Sequence, residues 1–423
     1  DIVTVTVEAG GSLGLSVSAS GSASGQITGL TAATSYVVDM FARDAAGNES
    51  TGIFSAPATS TTAPGGSITV SIDILDRSAN GIAPEGVFLQ ANFNDADVAQ
   101  DLNRLNYDPS FHRTRVRWTF TRQGQGYAAQ ASDKVVNLPA AFNDTNTAYG
   151  KRVGHVFTEP GTWIINVEVQ DMSGNVGTAQ ITHTVIDPDT VFTGNRTICV
   201  GAGDQTNFPG SQTVATVAGA ITALQSLGQM GRILLARGQT YNEQLLVIQN
   251  VPNFYLGAYG TGARPIVRGT GRSNGGQAIF ANFTSNRDIQ FVGVQLQGPW
   301  NAVNETGNLV KGYRRPAADG DERTYELFVD CVFDGLEIGI DFGKQNAGLN
   351  STAWKGQYVH NCDFPSYQDM QIFHASAPMS YLSVTGSRLM QDPNAMMGQN
   401  GKYGSPRYNQ HTPHRAAWAG YGY

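Results

Sequence analysis

Short apolar runs separated by Gly, Asn and Pro fill the stretch from Arg232 to Gly298. Ile233-Leu234-Leu235, Leu245–Ile248, Phe254-Tyr255-Leu256, Pro265-Ile266-Val267 and Ile289–Val292 each read as a strand. The segments between them are too short for a crossover helix with its two loops. Parallel strands without crossover helices are accommodated by a chain that coils upon itself, each coil stacking on the last. The pattern continues further along: Phe291–Leu296, Phe328–Phe333, Val359–Phe364 and Val384–Leu389 align in one register. In that register Val294, Cys331, Cys362 and Ser387 form one column, and Leu296, Phe333, Phe364 and Leu389 a second column two residues on. Residues two apart in a strand share a face, so both columns are expected to point into the core. On the same reading His360 falls on the inward side with Cys362.

One helix is predicted, over 213–229, from Val214, Val217, Ile221 and Leu224 at three- and four-residue spacing. Thr213 is placed to cap it, and Gly228 and Gly231 end it. Lying just before the first coil, it is expected to plug the open end of the core.

The run LLARGQTYNEQLLV…NFYLGAYGTGARPIV followed by DIQFVGVQLQG resembles the opening coils of right-handed parallel β-helix proteins, among them the pectate-lyase-like polysaccharide lyases and phage tail spikes. The resemblance spans roughly 198–423. Upstream, 67–187 carries HVFTEPGTWIINVEVQDMSGNVGTAQITHTV, which resembles the closing strands of a PKD-type immunoglobulin-like domain. Trp118 stands where that family has an aromatic strand, although the family's Gly-Asp turn is replaced by Arg122-Gln123-Gly124. Residues 1–63 carry GLTAATSYVVDMFARDAAGNES, which resembles the second half of a fibronectin type III domain, with Leu30 and Tyr36 at its tyrosine corner. The segment Ser55–Gly66 reads as a Pro/Ser/Thr linker. Asp44…Asn48 and Asp171…Asn175 read as matching hairpin turns. The expected fold class is therefore all-β: two immunoglobulin-like β-sandwiches, a capping α-helix, and a right-handed parallel β-helix. The first sandwich is short of strands and no cap follows Tyr423, so the native chain is expected to extend at both ends.

Composition narrows the function classes. Of 423 residues 50 are Gly, only 14% are charged, and the formal net charge is −7, which argues against sequence-independent nucleic-acid binding. No apolar run is long enough for a membrane-spanning helix. Three cysteines are too few for a disulfide framework; Cys331 and Cys362, stacked in one column, are either buried thiols or a bridge between coils, and Cys199 has no evident partner.

The resemblance places any chemistry in a lateral groove. A lyase there needs a base and a positive group to stabilise an enolate. Lys402, Arg407, His411, His414 and Arg415 concentrate basic groups on one late segment, with Tyr403 and Tyr408 available to stack on sugars. Arg314 and Arg315 are candidates to grip a uronate or sulfate, and Trp300 and Trp354, read in loops after strands, are candidate sugar platforms. A hydrolase would need a carboxylate pair, for which Asp363, Asp369 and Asp341 are nearest. No metal site is expected beyond a possible Ca²⁺ at Asp95, Asp97 and Asp101. The expected function is an extracellular or virion-surface appendage, of the phage tail-fibre or tail-spike kind, that engages cell-surface polysaccharide. The alternatives are a secreted lyase acting on a uronate-containing glycan, and a structural adhesin. A homotrimer, or assembly into a larger appendage, is the expected quaternary state.

Overall fold

The computed structural model describes residues 2–6, 12–17, 23–28, 35–43, 54–59, 68–94, 114–123, 146–171, 175–270, 277–282, 288–300, 308–315, 325–344, 354–375 and 379–389. The chain is mostly β. Its first five strands are β1 (Ile2–Thr6), β2 (Ser12–Val17), β3 (Ala23–Thr28), β4 (Ser35–Arg43) and β5 (Phe54–Thr59). They pair antiparallel as β1-β4-β5 and β2-β3. Tyr36 lies within β4; the Asp44…Asn48 turn and Leu30 fall outside the described residues.

The next seven strands are β6 (Thr69–Arg77), β7 (Glu85–Asn94), β8 (Thr114–Arg122), β9 (Thr147–Tyr149), β10 (Arg152–Phe157), β11 (Gly161–Asp171) and β12 (Val176–Val185). They form two antiparallel sheets, β10-β7-β6 and β12-β11-β8-β9. Alternation along β8 and β11 turns Trp118, Phe120, Trp163, Ile165 and Val167 inward against Val87, Leu89 and Phe157 from the other sheet. Between β11 and β12, Asn175 donates from its backbone N–H to Asp171 Oδ1 at 2.8 Å and from Nδ2 to Oδ2 at 2.7 Å, the turn chemistry expected of this pair.

The remaining strands are β13 (Thr197–Val200), β14 (Gln212–Val214), β15 (Arg232–Ala236), β16 (Thr240–Glu243), β17 (Leu246–Ile248), β18 (Phe254–Tyr259), β19 (Ile266–Gly269), β20 (Ala278–Asn282), β21 (Asp288–Val292), β22 (Gln295–Gln297), β23 (Lys311–Arg314), β24 (Tyr325–Val329), β25 (Val332–Lys344), β26 (Trp354–His360), β27 (Asp363–Ala375) and β28 (Met379–Thr385). All pair in parallel, in two large sheets. The first runs β14-β13-β15-β18-β21-β24-β26-β28; the second runs β16-β19-β22-β25-β23-β20-β17, with β27 on β25. From β15 onward the chain passes from the first sheet to the second and returns one strand further along. Strand β25 serves both arms of the second sheet, pairing with β22 through Val332–Asp334 and with β23 through Ile340-Asp341, and it bends between them at Gly335, whose φ is +61°.

Both predicted columns are present. Leu296 pairs with Phe333, and Val332 with Asp363. Val294, Cys331 and Cys362 are fully buried in one core with Leu296, Phe333 and Phe364, and Leu389 packs against it. The Phe333 and Phe364 rings stack at 4.8 Å and 8°. Cys331 and Cys362 are free thiols, as is Cys199. Cys331 Sγ lies 3.4 Å from the Phe291 carbonyl, and Cys362 Sγ 3.5 Å from that of Phe328.

Several expectations change. Ser55–Thr59, the start of the expected linker, belongs to β5 and pairs with β4. The helix spans Val217–Leu227, with Thr216 rather than Thr213 as its cap: Thr216 Oγ1 accepts from the Gly219 N–H, while Val214 has joined β14. Its Val217, Ala220, Ile221 and Leu224 enter the core at the end marked by β14, β16 and β17. His360 faces outward, because Asn361 takes a left-handed turn, φ +51°, that resets the alternation between inward Val359 and inward Cys362. It is nonetheless buried, under the antiparallel unit 68–186.

That unit lies on the outer face of the first parallel sheet. Asp288 accepts from Ser78 Oγ at 2.8 Å, from Asn80 Nδ2 at 2.5 Å and from two backbone N–H groups of Ala79 and Asn80. Gln290 Nε2 donates to the Ile82 and Pro84 carbonyls, and the Gly86 N–H donates to Tyr325 Oη at 2.5 Å. Val156 packs among Tyr325, Leu327, Val329 and Tyr358.

Candidate functional site

The same docking leaves a cleft of about 440 Å³ beside the joint. Its floor is the outer face of the first parallel sheet. The floor crosses β15, β18, β21 and β24 and reaches the turn after β26. Five strands at about 4.8 Å spacing make this roughly 19 Å long, parallel to the stacking direction. One wall is Thr158 and Glu159 of the antiparallel unit; the other is the connector, through Pro188, Asp189 and Phe208.

Local sequence explains the floor. After β21, β24, β26 and β28 a single left-handed residue turns the chain: Gly293, Asp330, Asn361 and Gly386, with φ between +51° and +65°. Gly, Asn and Asp tolerate this region best, so this column is confined to small or polar residues. Three of its members line the cleft. Gly257 and Ala258 keep the floor low at β18.

The charged groups are nearly all committed. Arg232 is 4% exposed; its Nη1 lies 2.7 Å from Asp189 and its Nε donates to Thr197 Oγ1 at 2.9 Å. Its guanidinium lies over the Phe208 ring at 5.0 Å and the Phe192 ring at 5.7 Å. Arg264 pairs with Asp330 at 2.7 Å, and Arg122 with Glu159 at 2.7 Å. Arg237, half-buried in the cleft lining, has no ion-pair partner among the described residues. Tyr255 is pushed up to about 12 by burial, partly offset by Arg232, and stays a neutral hydroxyl.

The candidates expected from sequence do not assemble here. Lys402, Tyr403, Arg407, Tyr408, His411, His414 and Arg415 lie outside the described residues, as do Asp95, Asp97 and Asp101. Arg315 cannot grip a glycan: it is 2% exposed, inside the parallel unit, with Nη1 3.6 Å from the equally buried Glu326. Arg314 alternates outward but belongs to the second sheet, with Nε 3.8 Å from Asp341. Trp300 is half-buried on the second sheet's side, its N–H donating to the Gly335 carbonyl; Trp354 opens β26 rather than lying in a loop. The carboxylates Asp341 and Asp363 are ion-paired, with Lys311 at 2.5 Å and with Arg388 respectively. Among the described residues no cluster of three or more His, Cys, Asp and Glu side chains is placed to hold a metal ion, and no helix is long and apolar enough to cross a membrane.

Arg237, Asp330 and Asn361 are not predicted from sequence, because the hydrophobic period marks only the inward columns. The signal was present: Asp330 and Asn361 immediately precede Cys331 and Cys362, in a column whose other two members are Gly293 and Gly386. No family model, curated protein or solved structure matches this chain.

Proposed function

We propose that the chain is part of an extracellular or virion-surface appendage, of the tail-fibre or tail-spike kind, that engages cell-surface polysaccharide. The reading takes 198–423 as a right-handed parallel β-helix, 67–187 as a PKD-like sandwich and 1–63 as partly fibronectin type III-like. The observation that carries it is the cleft crossing five parallel strands. It is open, elongated along the stacking direction and lined by hydroxyl, amide, guanidinium and aromatic groups, which suits a linear chain of sugars rather than a compact metabolite. The two-sheet parallel winding supports the β-helix reading. A homotrimer fits such an appendage.

A second reading, a lyase acting on a uronate-containing glycan, is favoured by Arg237 alone. A cation without an ion partner in a glycan cleft is what stabilises a uronate carboxylate and the enolate formed from it. Both readings are tested by incubating the full chain with a panel of bacterial and algal polysaccharides, following retention, reducing ends and the ultraviolet absorbance of unsaturated uronates. Retention that Arg237→Ala and Asn361→Ala weaken supports the appendage. Unsaturated product lost in Arg237→Ala supports the lyase. Retention unaffected by either substitution sinks the cleft as the binding site.

A further inference from the structure

The second sheet of the antiparallel unit, β12-β11-β8-β9, has one face in the core and one turned away from the joint with the parallel unit, since that joint is made by β6, β7 and β10. Strand alternation fixes what this free face presents. Trp118, Phe120, Ile165 and Val167 point inward, so their neighbours point out. Register then places Tyr149, Arg117, Glu168 and Thr178 side by side in one row across four strands. Thr147, Thr119, Asn166 and Gln180 form the adjacent row. A shallow dish of about 560 Å³ lies over the β8, β11 and β12 members of these rows, with Tyr149 and Thr147 beside it on β9.

Three features say what it would hold. First, Arg117 and Glu168 sit directly opposite one another, yet form no ion pair, so both planar heads point to solvent with their hydrogen-bonding edges available. Second, Tyr149 at the rim is 62% exposed, a large aromatic left in water, with the Arg115 guanidinium over its ring at 5.9 Å. Third, the rest of the two rows is amide and hydroxyl. A protein partner would call for an apolar centre depleted of charge, which this face lacks. Nucleic acid would call for a basic surface, whereas Arg117 is balanced by Glu168 and the chain is acidic. Planar bidentate groups of both signs beside one exposed ring are the complement of a saccharide, whose vicinal hydroxyls donate and accept together and whose C–H face stacks on aromatics.

We propose that this face is a second saccharide-binding site, separate from the cleft, that takes a neutral oligosaccharide laid across the strands with one ring on Tyr149. Three strand intervals of about 4.8 Å give a platform roughly 14 Å wide, enough for a short run of linked sugars. The proposal does not depend on the cleft being a glycan site.

The test is calorimetric titration of the full chain with gluco-, manno-, galacto- and xylo-oligosaccharides. At least one is expected to bind, with Tyr149→Ala and Asn166→Ala each weakening affinity at least fivefold and Arg268→Ala, exposed on the second parallel sheet, leaving it unchanged. The exposed Gln180→Ala is the second variant should Asn166→Ala perturb folding. Absence of binding by all four series overturns the proposal, as does binding that Tyr149→Ala and Gln180→Ala leave intact. Binding abolished only by Arg237→Ala assigns the saccharide to the cleft and likewise overturns it.

Discussion

The Tyr358 hydroxyl donates to Asp76 Oδ2 at 2.9 Å, joining two residues 282 positions apart in the chain. Asp76 belongs to β6 of the antiparallel unit and Tyr358 to β26 of the parallel one, and both are buried. Loss of a buried hydrogen bond of this kind costs about 1–3 kcal/mol. Tyr358→Phe is therefore expected to lower the free energy of unfolding by that amount, read as a lower urea midpoint. The Gly86 N–H bond to Tyr325 and the four bonds to Asp288 remain, so the two units should still unfold together. Separate transitions in Tyr358→Phe, followed by tryptophan fluorescence from Trp118 and Trp163, would show this bond to be the main tie.

Gly86 gives a harsher probe of the same contact. A Cβ at this position would lie 2.5 Å from the Tyr358 ring, a ring held from behind by Tyr325 at 5.4 Å. Gly86→Ala should cost about 1–3 kcal/mol by overpacking, and Gly86→Val more. The expected signature is increased amide exchange along β26 with β8 and β11 unchanged. Unchanged exchange in β26 would mean that the ring moves aside without strain.

Acid should weaken this joint. His360 is brought down to about 4 by burial, and His155 is lowered by burial and then by the nearby His360 and His183. Folded-state values below the unfolded value near 6.5 mean the unfolded chain binds more protons, so this contribution is full above pH 6.5 and is lost as pH falls toward 4. For His360 alone the loss is on the order of 3 kcal/mol. Chemical denaturation at pH 7.5 and pH 5 should show a lower midpoint at pH 5, and His360→Gln should flatten the difference. An equal midpoint at both pH values would contradict the burial of these rings.

The parts of the fold that sequence made legible are those set by period alone. Val294, Cys331 and Cys362 could be stacked in advance because parallel in-register coils repeat their inward positions whatever the turns do between them. His360 could not, because one left-handed residue at Asn361 shifts the alternation, and nothing in a single strand announces that. The cleft was less legible still. It exists because β6, β7 and β10 dock on the outer face of the first parallel sheet, and the contacts that hold them there, Asp288 with Ser78 and Gln290 with Pro84, link residues more than two hundred positions apart. Arg315 misled for a related reason: a pair of arginines reads as a surface patch, yet strand alternation sends Arg314 and Arg315 to opposite sides.

The thiols give a test of the columns. Burial raises Cys199 and holds Cys362 well above the ordinary thiol range, so both stay protonated and inaccessible. Native protein should release no thionitrobenzoate from Ellman's reagent over minutes, and all three cysteines should react after denaturation without reductant. Only one thiol appearing on denaturation would instead establish a Cys331–Cys362 bridge between coils.

Arg315 separates a structural from a binding role most sharply. It is buried with Glu326, which also accepts from the Tyr313 hydroxyl at 2.5 Å, while burial raises the Glu326 carboxyl despite the opposing pull of Arg315. Removing one member of a buried pair strands the other charge, at about 3–5 kcal/mol, whereas replacing both with apolar residues of like volume is commonly neutral or better. Arg315→Met is thus expected to unfold the parallel unit at markedly lower denaturant, and the double variant Arg315→Met with Glu326→Leu to recover most of the loss. Arg314→Ala, on the exposed side of the same strand, should stay within about 0.5 kcal/mol of the parent. A glycan-gripping Arg315 predicts the reverse pattern: full stability in Arg315→Met, lost polysaccharide retention, and no rescue by the second substitution. Urea unfolding of the three variants, with retention measured on those that remain folded, decides between them.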